Sequence, residues 1–346
     1  MGGPVRVLVV DDSAVLRYAM SKYLDADPGV TVVGSARDGL DALDMIPDLK
    51  PDVVTLDVEM PRMDGLTALK HIMAECPTPV VMLSALTKRG ARTTIQALMR
   101  GAVDFVSKPS AGADMQATIE ELVVKLKVAA GTRLVTPHSS PPTPQRPPTT
   151  SKLGPRPFNR GDPLIVIGAS TGGPRALQEV LSKLPADLPA AMTVVQHMPP
   201  GFTRSLARRL DEHSPLTVRE ATDGEVLARG LVLVAPGDFH LRFGAARQVI
   251  LDHGPPQCHV RPAADVTMTS AAERYEAAVV GAVLTGMGAD GTEGSRHIKA
   301  AGGKVVAEDE TTSVVYGMPR SVVEAGLADQ VVPLPEVAPA LVEWVS

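Results

Sequence analysis

Cysteine is scarce in this chain, with 2 among 346 residues. Cys76 and Cys258 lie far apart and make no metal-ligand spacing. Neither a disulfide framework nor a cysteine-based metal site is expected; both read as reduced, buried small residues. A basic excess is absent too. The 34 Lys and Arg against 39 Asp and Glu leave a net charge of −5, which argues against a nucleic-acid partner. No apolar run reaches the ~18 residues that a membrane-spanning helix needs, so no direct membrane insertion is expected. The first apolar run, Val5 to Val10, is short and enters an Asp pair, unlike a secretory signal. Together these absences predict a disulfide-free cytoplasmic protein. Its hydrophobic share of 44% and charged share of 21% are those of an ordinary globular chain. At about 150 residues per domain, two domains are expected.

Residues 1–125 alternate apolar runs with amphipathic stretches. Strands are expected at Val5–Val10, Val30–Ser35, Val53–Leu56, Val80–Leu83 and Asp104–Val106. Helices are expected at Ala14–Asp25, Gly39–Pro47, Gly65–Glu75, Thr93–Arg100 and Asp114–Val128. Such alternation predicts a doubly wound α/β domain, whose ligands meet the C-terminal ends of the strands. At those ends stand Asp11, Asp12, Asp57, Ser84 and Lys108-Pro109. Three converging carboxylates repel one another unless a cation joins them, and hard oxygen donors suit Mg²⁺. Solvated loop acids would explain any one of these residues but not the set. Val-Asp-Asp-Ser (10–13), Leu-Asp-Val-Glu-Met-Pro-Arg-Met-Asp-Gly (56–65), Ser84-Ala85 and Lys108-Pro109 resemble a response-regulator receiver domain, a flavodoxin-like fold of five parallel strands. The resemblance implies Asp57 as phospho-acceptor, and Mg²⁺ held by Asp11, Asp12, Asp57 and the Glu59 backbone carbonyl. It implies Ser84, Phe105 and Lys108 as the switch residues, and a chemotaxis histidine kinase as phosphoryl donor.

Residues 126–162 read as a linker, and from Gly131 to Asp162 periodicity is lost. Pro137, Pro141, Pro142, Pro144, Pro147, Pro148, Pro155 and Pro157 dominate there, with Ser and Thr between them. A semi-rigid spacer is expected.

Residues 163–346 alternate again, and predict a second, Rossmann-like doubly wound domain. Strands are expected at Leu164–Ile167, Met192–Gln196, Leu231–Ala235, Gln248–Leu251, Ala278–Leu284 and Lys304–Ala307. The segment Leu231–Leu251 also fits an antiparallel hairpin. Helices are expected at Pro174–Leu184, Phe202–Glu212, Val266–Tyr275, Gly291–Ala300, Pro319–Ala325 and Leu334–Trp344. The apolar run from Leu164 ends in Gly-Ala-Ser-Thr-Gly-Gly-Pro (168–174). Ser170 thus falls in a tight strand-to-helix turn, with Gly168 and Gly172 clearing access to its hydroxyl and helix amides facing a developing oxyanion. The turn also matches a nucleophile-elbow pattern. It lacks G-x-G-x-x-G, the dinucleotide fingerprint. His197 follows the second strand and Asp290 the fifth, so Ser, His and Asp all fall at strand ends where they can meet. A serine hydroxyl attacks well only when a histidine takes its proton and a carboxylate orients that histidine. Spacing alone leaves His240 as an alternative base, and Asp238 or Asp265 as an alternative carboxylate.

Gly-Ala-Ser-Thr-Gly-Gly (168–173), Gln-His-Met-Pro-Pro-Gly-Phe-Thr (196–203), Ala-Pro-Gly (235–237) with His240, and Leu-Thr-Gly-Met-Gly-Ala-Asp-Gly (284–291) resemble the catalytic domain of the CheB family of chemotaxis protein-glutamate methylesterases. The order receiver, spacer, esterase matches too. The resemblance implies a Ser170–His197–Asp290 triad, with Thr171 and Met287 on the oxyanion and substrate side and no cofactor for ester hydrolysis. The substrates it implies are glutamate methyl esters, and glutamines, on methyl-accepting chemotaxis receptors. A switchable acidic pocket tethered to an active site also leads us to expect control by phosphorylation, the unphosphorylated receiver covering the Ser170 cleft.

Overall fold

The computed structural model describes residues 3–108, 115–132 and 152–346. Pro109 and the spacer prolines from Pro137 to Pro148 lie outside the described residues. The chain divides into two compact units, Met1–Pro141 and Pro142–Ser346.

In the first unit, β1 (Val5–Val10), α1 (Ala14–Leu24), β2 (Val30–Ala36), α2 (Gly39–Leu49) and β3 (Val53–Asp57) are followed by α3 (Gly65–Glu75), β4 (Val80–Ser84), α4 (Lys88–Met99), β5 (Asp104–Ser107) and α5 (Met115–Ala130). All five strands are parallel, in the order β2-β1-β3-β4-β5. Helices cover both faces of such a sheet, so its strands read as continuous apolar runs; Val7 to Val10 are fully buried. Helix α4 starts five residues before its expected start, at Lys88 instead of Thr93. The Thr87 hydroxyl caps it, accepting from the Gly90 amide at 2.9 Å, and the polar first turn hides this from a periodicity reading. Asp11 and Asp57 stand where strand order reverses between β1 and β3, the crevice in which doubly wound folds bind ligands.

The second unit runs β6 (Arg156–Pro157), β7 (Leu164–Ala169), α6 (Gly173–Lys183), β8 (Ala191–Gln196), α7 (Phe202–His213), β9 (Thr217–Glu220), β10 (Ala228–Arg229) and β11 (Leu231–Val234). It continues through β12 (His240–Phe243), β13 (Val249–Asp252), α8 (Ala264–Tyr275), β14 (Val279–Val283), α9 (Thr292–Ala300), β15 (Lys304–Glu308), α10 (Met318–Glu324), β16 (Gln330–Val332) and α11 (Leu334–Val345). Seven parallel strands form the sheet β16-β15-β14-β7-β8-β11-β9. The hairpin expected over Leu231–Leu251 is divided differently. β11 joins the main sheet, while β12 pairs antiparallel with β13 apart from it. Both edge strands, β9 and β16, escape a sequence reading because they are short and half polar. Within the 126–162 stretch, residues up to Ala130 continue α5. Beyond the undescribed part, Arg156–Pro157 pairs with β10, and Phe158 meets Tyr275 edge-on at 5.9 Å.

The centre of the second sheet is β7, whose Leu164, Ile165, Val166 and Ile167 are fully buried. Trp344, the chain's single tryptophan, lies in α11 of the same unit and reports its unfolding. Truncating Ile167 to Ala should cost about 2–5 kcal/mol. The urea midpoint read from Trp344 fluorescence should fall accordingly, and an unchanged midpoint would contradict the central placement of β7.

Candidate active site

Three carboxylates gather in the first unit. Oxygens of Asp11, Asp12 and Asp57 lie within 4.8 Å of one another. Lys108 reaches in from the end of β5, its Nζ 2.7 Å from Asp11 Oδ2 and 2.7 Å from Asp57 Oδ2. Burial pushes the Asp57 carboxyl up to about 6, against the pull of Lys108. Burial opposes the Lys108 charge as well, but its two carboxylate partners outweigh that and raise its pKa. The Glu59 amide points to Asp57 Oδ1 at 3.4 Å, while its side chain faces Arg89 at 3.6 Å. Ser84 Oγ is buried, 2.7 Å from the Thr94 hydroxyl. Phe105 is buried, with Lys125 Nζ 5.4 Å from its ring centre.

In the second unit the sheet's strand order reverses at β7, and the loops leaving β7, β8 and β14 meet at one edge. Main-chain hydrogen bonds tie them. The Ser170 amide donates to Thr285 O at 3.0 Å, the His197 amide to Ala169 O at 3.1 Å, and the Leu284 amide to Gly168 O at 2.9 Å. Gln196 Nε2 adds a bond to Ser170 O at 2.8 Å. Gly286 is required by close approach, since a Cβ there would lie 2.7 Å from Ser170 Cβ. The flanking glycines serve packing more than access. A Cβ on Gly168 would lie 2.7 Å from Ala264 Cβ, and one on Gly172 would lie 2.7 Å from Val314 Cβ. Gly172 also has φ 79°, which favours glycine. Helix α6 starts immediately after this turn without a side-chain cap; its Gly173 amide already donates to Ser170 O at 2.8 Å and Pro174 carries no N–H, so what it brings to the turn is the positive end of its dipole. Thr171 in the turn is buried, and Met287 in the β14 loop is half-buried.

His197 and Asp290 meet directly, with Nε2 2.7 Å from Asp290 Oδ2. Asp290 is fixed from behind. Its Oδ2 accepts the Ala264 amide at 2.6 Å, and its Oδ1 accepts the Asp265 amide at 2.9 Å. Burial alone would raise the Asp290 carboxyl; the bond and charge of His197 and the two amides more than offset it and hold it below the ordinary carboxylate value. Nε2 is thus committed to Asp290, which leaves Nδ1 as the nitrogen open to a hydroxyl. The Ser170 hydroxyl itself is not hydrogen-bonded to His197 here; such contacts often tighten only once substrate is bound.

The rival residues have other duties. His240 is buried, with Nδ1 accepting the Ala263 amide at 3.2 Å and Nε2 donating to Pro255 O at 3.1 Å, so both nitrogens are used. Asp238 pairs with Arg261 at 2.5 Å. Asp265 Oδ1 accepts the Gly291 and Gly294 amides at 2.9 and 2.7 Å and ties down α9. Burial pushes its carboxyl up to about 6, and Asp290 adds to the rise. Cys258 is an exposed free thiol and Cys76 a half-buried one, so neither is the buried residue expected. The amides of Ala264 and Asp265 were not legible, because α8 begins two residues before its expected start at Val266. An acid at the very start of a helix was the available signal.

A model of the CheB methylesterase matches residues 165–341, and a model of the response regulator receiver domain matches residues 7–120. The chain is 50% identical to the protein-glutamate methylesterase/protein-glutamine glutaminase of Symbiobacterium thermophilum, over 99% of this chain and 98% of that protein. The chain belongs to the CheB methylesterase family. A second relative of the same name, from Thermotoga maritima, is 46% identical over 99% of this chain and 98% of its own length. The solved CheB methylesterase catalytic domain of Thermotoga maritima superposes with a TM-score of 0.52 at 51% identity, covering 53% of this chain and 98% of that one. The acidic pocket therefore sits in the receiver domain of a CheB protein, and the Ser170 edge sits in its methylesterase domain.

The raised Asp57 value has a sign that can be checked. With a folded value of about 6 against an ordinary 3.8, burial favours the protonated form. That contribution to stability is present below about pH 4 and is lost as pH rises through about 6. Asp57→Asn should therefore stabilise the metal-free protein at pH 7.5 by on the order of 2 kcal/mol, with little gain at pH 4. Denaturation followed by circular dichroism at both pH values checks this.

Proposed function

We propose that Ser170, His197 and Asp290 form the catalytic triad of a serine hydrolase that demethylates glutamate methyl esters and deamidates glutamines on methyl-accepting chemotaxis receptors, under control of a phosphorylated Asp57. The observation that carries this reading is the 2.7 Å His197–Asp290 bond beside the Ser170 turn. In outline, residues 1–125 receive the phosphoryl group, 126–162 act as the spacer, and 163–346 hydrolyse the ester.

Ser170 Oγ attacks the side-chain carbonyl of the ester while its proton passes to His197 Nδ1. Asp290 stabilises the imidazolium and fixes the ring through Nε2. The negative charge on the carbonyl oxygen is met by backbone amides at Thr171 and Met287 and by the positive end of the α6 dipole. Collapse of the intermediate expels methanol, which leaves with the proton from His197. Water, deprotonated by the same imidazole, then attacks the acyl-enzyme, and free glutamate and Ser170 are regenerated. A glutamine amide following the same route releases ammonia. Nucleophile, base and carboxylate come from the chain itself, so no cofactor is assigned to this step.

In the receiver, the donor set suits a hard divalent cation, with three carboxylates within 4.8 Å. Asp11, Asp12, Asp57 and the Glu59 backbone carbonyl would hold Mg²⁺, which when bound neutralises phosphoryl oxygens. Lys108 balances the charge added at Asp57, and Ser84 and Phe105 reorient toward it. A chemotaxis histidine kinase is the donor. No helix among the described residues is long and apolar enough to cross a membrane; this and the cysteine usage support a cytoplasmic site of action.

Methanol release from methylated receptor fragments tests the triad. Ser170→Ala or His197→Ala should cost on the order of 10⁴–10⁶ in turnover, and a Ser170→Ala protein working at the normal rate would refute the assignment. In the same assay a small-molecule phosphoryl donor should raise wild-type turnover but leave Asp57→Asn unmoved. Chelation of divalent cations should abolish the rise; activation of the Asn variant would remove Asp57 from its role.

A further inference from the structure

Glu308 closes β15 with no exposed surface. Among the described residues no lysine or arginine pairs with it. Its Oε2 accepts the Thr285 amide at 2.8 Å, and its Oε1 accepts the Thr312 hydroxyl at 3.1 Å. Thr285 in turn grips both residues of the nucleophile turn. Its carbonyl accepts the Ser170 amide at 3.0 Å. Its hydroxyl donates to Thr171 O at 2.9 Å and accepts the Val315 amide at 2.9 Å. One buried carboxylate therefore holds the residue whose carbonyl and hydroxyl anchor the Ser170 turn.

The groups facing Glu308 are few. The β14 loop presents the Thr285 amide, and the loop after β15 presents the Thr312 hydroxyl and the charge of Asp309. From α11 the Leu334 amide donates to the far side of Thr312 Oγ1 at 2.9 Å. Burial pushes the Glu308 carboxyl up to about 7; Thr285 and Thr312 oppose the rise and Asp309 adds to it. Both protonation states have a bonding pattern. Ionised, each oxygen accepts one hydrogen bond. Protonated at Oε1, the carboxyl donates to Thr312 Oγ1, whose hydroxyl then turns to Asp309 O, 3.4 Å away. A neutral carboxyl is the weaker acceptor, so the hold on Thr285 slackens in that state.

We propose that Glu308 is a positioning residue for the esterase step, holding the Ser170 turn through Thr285 most firmly when it is ionised. This rests on Ser170 as the nucleophile. The full-length protein is treated with a serine-directed fluorophosphonate from pH 5.5 to 9, and the labelled residue is mapped. Glu308→Gln keeps the shape and an acceptor oxygen but cannot titrate. As a neutral acceptor it should label about threefold more slowly than wild type above pH 8, and the acid limb of its pH profile should move down by roughly half a unit. Glu308→Val removes the acceptor and should label about tenfold more slowly at pH 8. A Gln variant with the wild-type acid limb, or a folded Val variant labelled at full rate, would overturn the proposal. Where the Val variant fails to fold, the Gln profile decides alone. Label found on a residue other than Ser170 would remove the nucleophile itself, and this proposal with it.

Discussion

The Asp290 carboxylate is the point on which the esterase edge depends. A buried charge is costly unless it is paired and hydrogen-bonded. Here the two amides that open α8 and the imidazole of His197 supply those bonds. The same contacts fix the orientation of His197 and leave its second nitrogen outside the bond to Asp290. Asp265, beside Asp290 in space, repeats the device one step back by holding the amides that start α9. Helix starts, not side-chain pairs alone, position the chemistry.

The two domains solve opposite problems with one topology. Each is a parallel sheet whose strand order reverses near its middle, which opens a crevice lined by loops. In the receiver that crevice collects like charges, and Lys108 stands between two of them. In the methylesterase domain it collects a hydroxyl, an imidazole and a carboxylate, and main-chain bonds fix the spacing. Repulsion among three carboxylates leaves that crevice favourable to added positive charge. Mutual support suits a site that must be ready before substrate arrives.

Much of this was legible in the chain. Buried parallel strands such as β7 and β1 show as unbroken apolar runs, and the acids at their ends were found by position alone. The triad was less so. Spacing could not separate His197 from His240, nor Asp290 from Asp265, because all four follow or flank predicted elements. The structure separates His240 by burying it with both nitrogens bonded. Family resemblance, carried by the motifs around 170, 197 and 290, favours His197 and Asp290 where periodicity leaves the choice open. Glu308 was invisible for a different reason. At the end of an ordinary strand it resembles any solvated acid, and only the fold shows that it is sealed beneath Thr285.

The Ser170 turn is held by its backbone. Its amide is bonded to Thr285, its carbonyl to Gln196, and its neighbours to adjacent strands. The hydroxyl contributes nothing to that scaffolding. Exchanging that side chain for a methyl group therefore leaves the turn's shape standing, so any rate lost with it is chemistry lost and not architecture.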